Sequence, residues 1–271
     1  MKRFMKFLKY ILPIIILGGL FLGGKGYYAI NRIVVDYQDN KQAIACLYEA
    51  MTFKNYLRID TTEHHVLCIG NSITLHGPMS KVAGADPAWT GNWGMCASLP
   101  DSDYVHRLEA KFKTINSKSE VTIAHMADWE ADLSLSIDSF LKDKIKGKDI
   151  IIIKLGENVR QLSQYEKGFA DLVCYCKNYT PNIIVAGNYW RNSVSESYMI
   201  RIARENNLPY VPLYWIMDLY KDKVMFHVGD TIYNVERKPY TIKTDFITTH
   251  PNDYGMRLIA EAIWGAMIVE K

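Results

Sequence analysis

The chain of 271 residues has a formal net charge of +3, with 49% hydrophobic and 12% aromatic residues. It is too apolar to be disordered and has enough apolar content for one sizeable core. The small basic excess comes partly from the N-terminus, and no Lys/Arg cluster of the kind that tracks phosphates follows, so nothing points to nucleic acid. Five cysteines (Cys46, Cys68, Cys96, Cys174, Cys176) show no repeated metal-ligand spacing. Cys174-Tyr175-Cys176 is not the Cys-x-x-Cys of zinc or redox sites. Neither a metal nor a cofactor is expected.

Lys2, Arg3, Lys6 and Lys9 precede an apolar stretch over 10–24 that only Pro13 interrupts. Positive charge followed by an apolar segment is the pattern of export or membrane insertion. The apolar core is short against the roughly 20 residues a spanning helix needs, but Lys6 and Lys9 can snorkel. No small-x-small cleavage site closes it, which favours an uncleaved signal anchor over 1–24. The rest of the chain is then expected outside the cytoplasmic membrane, with secretion after signal cleavage as the alternative. Residues 25–60 read as a connecting helical segment, with helical spacing over 37–56 that aligns Ala43, Cys46, Leu47, Ala50 and Met51.

Residues 61–271 read as one domain. Strands are predicted over 66–69, 121–125, 149–155, 182–187 and 208–213, the last at an edge because it carries Pro209 and Pro212. Helical patterns fall over 102–117, 133–146, 164–178 and 194–207, with a last helix over 253–269. Strands alternating with helices make an α/β fold with a parallel sheet covered on both faces. Right-handed crossovers then make it a three-layer, flavodoxin-like sandwich with five central strands. Two segments break the alternation: a long loop over 77–100, and two alternating runs over 231–247 that read as a β-hairpin.

Three groups fall at the ends of predicted elements. Ser72 follows the first strand in Gly70-Asn71-Ser72, Gly156-Glu157-Asn158 follows the third, and His250-Pro251 opens the final helix. In a doubly wound sheet the first and third strands are neighbours, so Ser72 and Asn158 share a crevice. A serine, an amide able to donate to an oxyanion and a histidine able to act as base are the parts of acyl transfer. By itself Ser72 reads equally as a helix N-cap.

In order and placement these motifs resemble the SGNH (GDSL-like) hydrolase family from about Val66 to the C-terminus. The resemblance implies a serine esterase, many relatives of which remove acetyl groups from carbohydrates and some of which transfer acyl groups. It implies Ser72 as nucleophile, His250 as base, and Asn158 with the Ser72 N–H as oxyanion donors.

The sequence departs from the family pattern in three places. Asn71 stands where an Asp is usual. The oxyanion glycine after the second strand is absent, leaving Ala127 or Asp128 to offer a main-chain N–H. The position three before His250, where the family's acid lies, is Ile247. Either Asp245 reaches the imidazole through a bulge, or a Ser–His dyad works with a main-chain carbonyl. Trp89, Trp93, Trp129 and Glu157 are expected to contact substrate, an acylated glycan or other small ester. A catalytically weak glycan-binding protein of the same fold is the reading from another class.

Overall fold

Continuous runs of branched apolar residues build the centre of the molecule. The computed structural model describes residues 55–79 and 89–270. In chain order its elements begin with β1 (Leu57–Ile59), β2 (His65–Gly70), α1 (Tyr104–Ile115), β3 (Glu120–His125), α2 (Ala127–Ala131) and α3 (Ile137–Leu141). They continue with β4 (Ile150–Lys154), α4 (Leu162–Lys177), β5 (Ile183–Ala186), α5 (Ser193–Glu205), β6 (Tyr210–Val211) and α6 (Trp215–Tyr220). β7 (Thr231–Tyr233), β8 (Pro239–Thr241), α7 (Asp253–Trp264) and β9 (Met267–Val269) complete the chain.

The central sheet is parallel, with order β3-β2-β4-β5-β6. β4, Ile-Ile-Ile-Ile-Lys, is buried along its whole length, as a strand covered on both faces must be. Period-two alternation sends Val66, Cys68, Ile150, Ile152 and Ile184 to one face, where Leu108 and Phe112 of α1 and Met256 and Ile259 of α7 join them in one core. Leu67, Ile69, Ile151, Ile153 and Val185 are buried on the other face. There α4 and α5 pack on each other through rows that bury Phe169, Leu172, Met199 and Ala203. This is the expected three-layer arrangement, with the Pro-flanked β6 at an edge.

Helix starts are locally encoded. Asp103, Asn192 and Asn252 cap α1, α5 and α7 by accepting main-chain N–H bonds at Oδ1. The expected hairpin is present as β7 and β8, antiparallel and shorter than its sequence runs.

Two expectations need correction, and a third is untested. The pattern over 133–146 is not one helix: Asp132 Oδ1 accepts the Ser134 N–H and hydroxyl at 3.1 and 2.7 Å, a local turn that competes with helix, and only α3 forms. The last helix stops at Trp264, and β9 pairs in parallel with β1, a strand inside the expected connecting segment. The expected anchor over 1–24 and most of the helix over 37–56 lie outside the described residues. Among the described residues no helix is long and apolar enough to cross a membrane.

Candidate active site

Adjacent strands β3, β2 and β4 end level with one another, with Gly70 in register with His125 on one side and Lys154 on the other. The segments that follow them therefore converge on one sheet edge. β2 stops at Gly70 because the chain folds back at once: a Cβ there would sit 1.8 Å from Thr74 Oγ1. The turn closes with the Thr74 and Leu75 N–H groups donating to the Asn71 carbonyl at 2.9 and 3.0 Å. That turn lifts Ser72 into a crevice of about 590 Å³, also lined by His76, His125, Ala127, Asn158, Arg160, Phe246 and His250.

Ser72 Oγ lies 3.0 Å from His250 Nε2, although 178 residues separate them. Asn252, capping α7, fixes the chain just after the histidine, and Trp190 packs edge-on against the imidazole at 5.1 Å. The Trp190 indole N–H donates to the Thr249 carbonyl at 3.1 Å. Burial pushes the His250 pKa down to about 4, with the Ile247 carbonyl opposing and His76 and Lys154 adding to the depression. The imidazole is therefore neutral at pH 7, as a base must be before it takes a proton.

No carboxylate orients this ring. His250 Nδ1 is buried with no hydrogen-bond partner among the described residues, and the nearby Ile247 carbonyl falls short of bonding geometry. Asp245 does not reach it: its side chain is exposed and its carbonyl accepts from Thr248 N and Oγ1 at 3.2 and 2.8 Å. The expected Asp245–His250 contact is absent because residues 245–250 form a compact turn, not a bulge. Ile247 is fully buried in the core.

Beneath Ser72 lies a buried polar network. Asn71 donates through Nδ2 to Glu157 Oε2 at 2.7 Å and to Glu130 Oε2 at 3.1 Å, so both of its amide protons are used. Glu157 pairs with buried Lys154 and also accepts the Tyr189 N–H at 3.0 Å. Glu130, from α2, accepts the Gly156 N–H and, at 2.9 Å, Asn158 Nδ2. Burial raises the Glu157 pKa, but Lys154 and the hydrogen bonds outweigh it and hold the carboxyl below its usual range. For Glu130, burial and then the Glu157 charge prevail and the pKa is raised.

Asn158 borders the crevice, as does Ala127, the first residue of α2, whose opening N–H groups have no intrahelical acceptor. The Ser72 N–H has no acceptor among the described residues. Ser72, Ala127 and Asn158 thus all line the same crevice.

The aromatic expectations are corrected. Trp89, Trp93 and Trp129 are core residues, at most 3% exposed. The His76 N–H donates to the Trp93 carbonyl and the Met79 N–H to the Trp89 carbonyl, which turns both indoles inward, edge to face at 5.6 Å. Glu157 touches the crevice, but its oxygens are occupied from inside, so it serves the network and not a ligand. The exposed aromatic at the crevice is instead Phe246. Sequence reading missed Phe246, Glu130 and Lys154. A lysine ending an all-isoleucine strand, with a glutamate three residues on, was the available signal for a buried ion pair.

No protein-family model matches the chain, and no curated protein sequence does. Among solved structures it is similar to a two-domain esterase active on acetylated mannans, co-crystallised with mannopentaose, at 17% identity and TM-score 0.46, over 75% of this chain and 48% of that one. The chain spans about half the length of that esterase. The acetyl xylan esterase AlAXEase matches at 17% identity and TM-score 0.47, over 75% of this chain and 100% of the other. A GDSL-like lipase from Bacteroides ovatus matches at 12% identity and TM-score 0.43, over 75% and 97%. At such values the chemistry of this chain rests on its own geometry.

Proposed function

We propose that the chain is a serine ester hydrolase acting on acylated carbohydrate, with Ser72 as nucleophile and His250 as base. The observation that carries this reading is the 3.0 Å hydrogen bond between Ser72 Oγ and the half-buried, neutral His250, both of which line one open crevice. As Oγ bonds to the ester carbonyl carbon, Nε2 takes the hydroxyl proton and the carbonyl oxygen becomes an oxyanion. The Ser72 N–H, Asn158 Nδ2 and the Ala127 N–H are the donors available to it. Collapse breaks the ester C–O bond, and the imidazolium returns its proton to the leaving alcohol. Water, deprotonated by His250 in turn, attacks the acyl-enzyme and frees Ser72.

The polar lining (His76, His125, Asp128, Arg160) beside exposed Phe246 suits a hydroxylated alcohol portion with one apolar ring face. A second sugar hydroxyl in place of water would make the same site an acyltransferase. The N-terminal pattern adds attachment to the cytoplasmic membrane, with the site outside. The orphaned His250 Nδ1 favours one competing reading, a glycan-binding protein of low activity.

The test is labelling by a fluorophosphonate probe. The intact protein should label at one serine, and Ser72→Ala should not label; a folded, unlabelled wild type sinks the covalent mechanism. Glycan binding without p-nitrophenyl acetate turnover would favour the binding protein.

A further inference from the structure

We infer that Glu130 is a positioning residue that fixes which face of the Asn158 amide looks into the crevice. The inference rests on the proposed serine mechanism, in which Asn158 donates to the oxyanion.

Every group bonded to the Glu130 carboxylate is a donor. Oε1 accepts the Gly156 N–H, and Oε2 accepts Asn158 Nδ2 at 2.9 Å and Asn71 Nδ2 at 3.1 Å. A proton on this carboxyl would have no acceptor among these partners, and an ionised carboxylate can only accept. The Asn158 side chain is therefore held with its NH₂ toward Glu130. One N–H is used there; the second has no acceptor among the described residues, which leaves it available to the crevice that Asn158 lines. The flipped amide would set its carbonyl oxygen against the carboxylate. It would also turn a lone pair, not a proton, toward a developing oxyanion.

The main chain is held with equal care. Gly156 has φ +134°, and a Cβ on it would lie 2.3 Å from Asn188 Oδ1. Glu130 takes the Gly156 N–H while Ser195 Oγ donates to its carbonyl at 3.3 Å. Glu130 thus ties α2, the Ser72 turn through Asn71, and the turn bearing Asn158.

Glu130→Gln keeps the shape but offers an NH₂ that pairs best with a flipped Asn158. The expected result with p-nitrophenyl acetate is a roughly 100-fold fall in kcat at nearly unchanged KM, within the range for losing one oxyanion donor. The decisive readout is non-additivity: Glu130→Gln/Asn158→Ala should be no slower than Asn158→Ala alone. Losses that multiply, or an unimpaired Glu130→Gln, overturn the assignment. Should Glu130→Gln not fold, NMR of the ¹⁵N-labelled wild type decides. The Asn158 NH₂ signal, identified by its loss in Asn158→Ala, should show one proton protected from exchange. Two protons exchanging freely overturn the assignment. A labelled wild type with an additive cycle removes only the role of Glu130; a folded wild type that does not label removes the underlying mechanism and this role together.

Discussion

Ile247 and His250 are joined through the main chain: the His250 N–H donates to the Ile247 carbonyl at 3.0 Å, while the Ile247 side chain is fully buried in the core. The residue three before the histidine thus anchors the turn and offers no charge to the imidazole. Its orientation comes from the Trp190 edge and from Ser72 itself. The candidate site is a dyad over a buried polar network.

Asp245→Asn should therefore leave kcat/KM within about threefold of wild type, since its exposed side chain does not contact the ring. Losing a true triad acid costs on the order of 10⁴-fold in kcat. Steady-state kinetics separates these outcomes, and a loss above a hundredfold would restore Asp245 to the site.

The depressed His250 sets a pH signature. With its pKa lowered from 6.5 to about 4, the neutral base persists across the neutral and mildly acidic range. The acid limb of kcat/KM is expected near pH 4 to 5 and not near 6.5. The unfolded chain takes up the proton first, so the stability linked to this group is complete above pH 6.5, declines as pH falls, and is fully lost below about pH 4. Between those values wild type should lose more Tm than His250→Gln. A rate limb centred at 6.5 would contradict the burial argument.

Trp89→Ala should unfold the protein more readily, by about 3–5 kcal/mol, because it empties a fully buried site. It also deletes the indole bond to the His76 carbonyl at 2.8 Å. Denaturant titration measures the loss; a change in KM at full stability would return Trp89 to the substrate.

Phe246→Ala is expected to do the reverse. Phe246 is 57% exposed, so stability should stay within about 0.5 kcal/mol while KM for a glycan ester rises several-fold. An unchanged KM across acetylated oligosaccharides would remove Phe246 from recognition.

Gly156→Ala should be destabilising, by about 1–3 kcal/mol, through both the positive φ and the clash with Asn188 Oδ1. Because Glu157 and Asn158 follow directly, kcat should fall with it. Thermal melts and kinetics on one preparation check both.

The central strands were legible because burial on both faces demands unbroken apolar runs, and Pro209 and Pro212 marked the edge strand. Ser72, Asn158 and His250 stood out because each follows or opens such an element. β1 and β9 were illegible: three residues each, they become strands only by finding one another across the chain. The indoles misled for a related reason. A tryptophan in a loop reads as exposed until the loop's own main-chain bonds, here with His76 and Met79, turn it inward.

By itself the sequence determined the alternation of strands and helices, the sheet edge at which Gly70-Asn71-Ser72 emerges, and the residue types gathered there, because periodicity and local turn chemistry are short-range properties. Only the tertiary structure decided that His250 meets Ser72 at 3.0 Å, that Asp245 does not meet His250, and that Glu130, Glu157, Lys154 and Asn71 form one buried network. Those are distances between segments up to 178 residues apart, and packing of the whole core sets them.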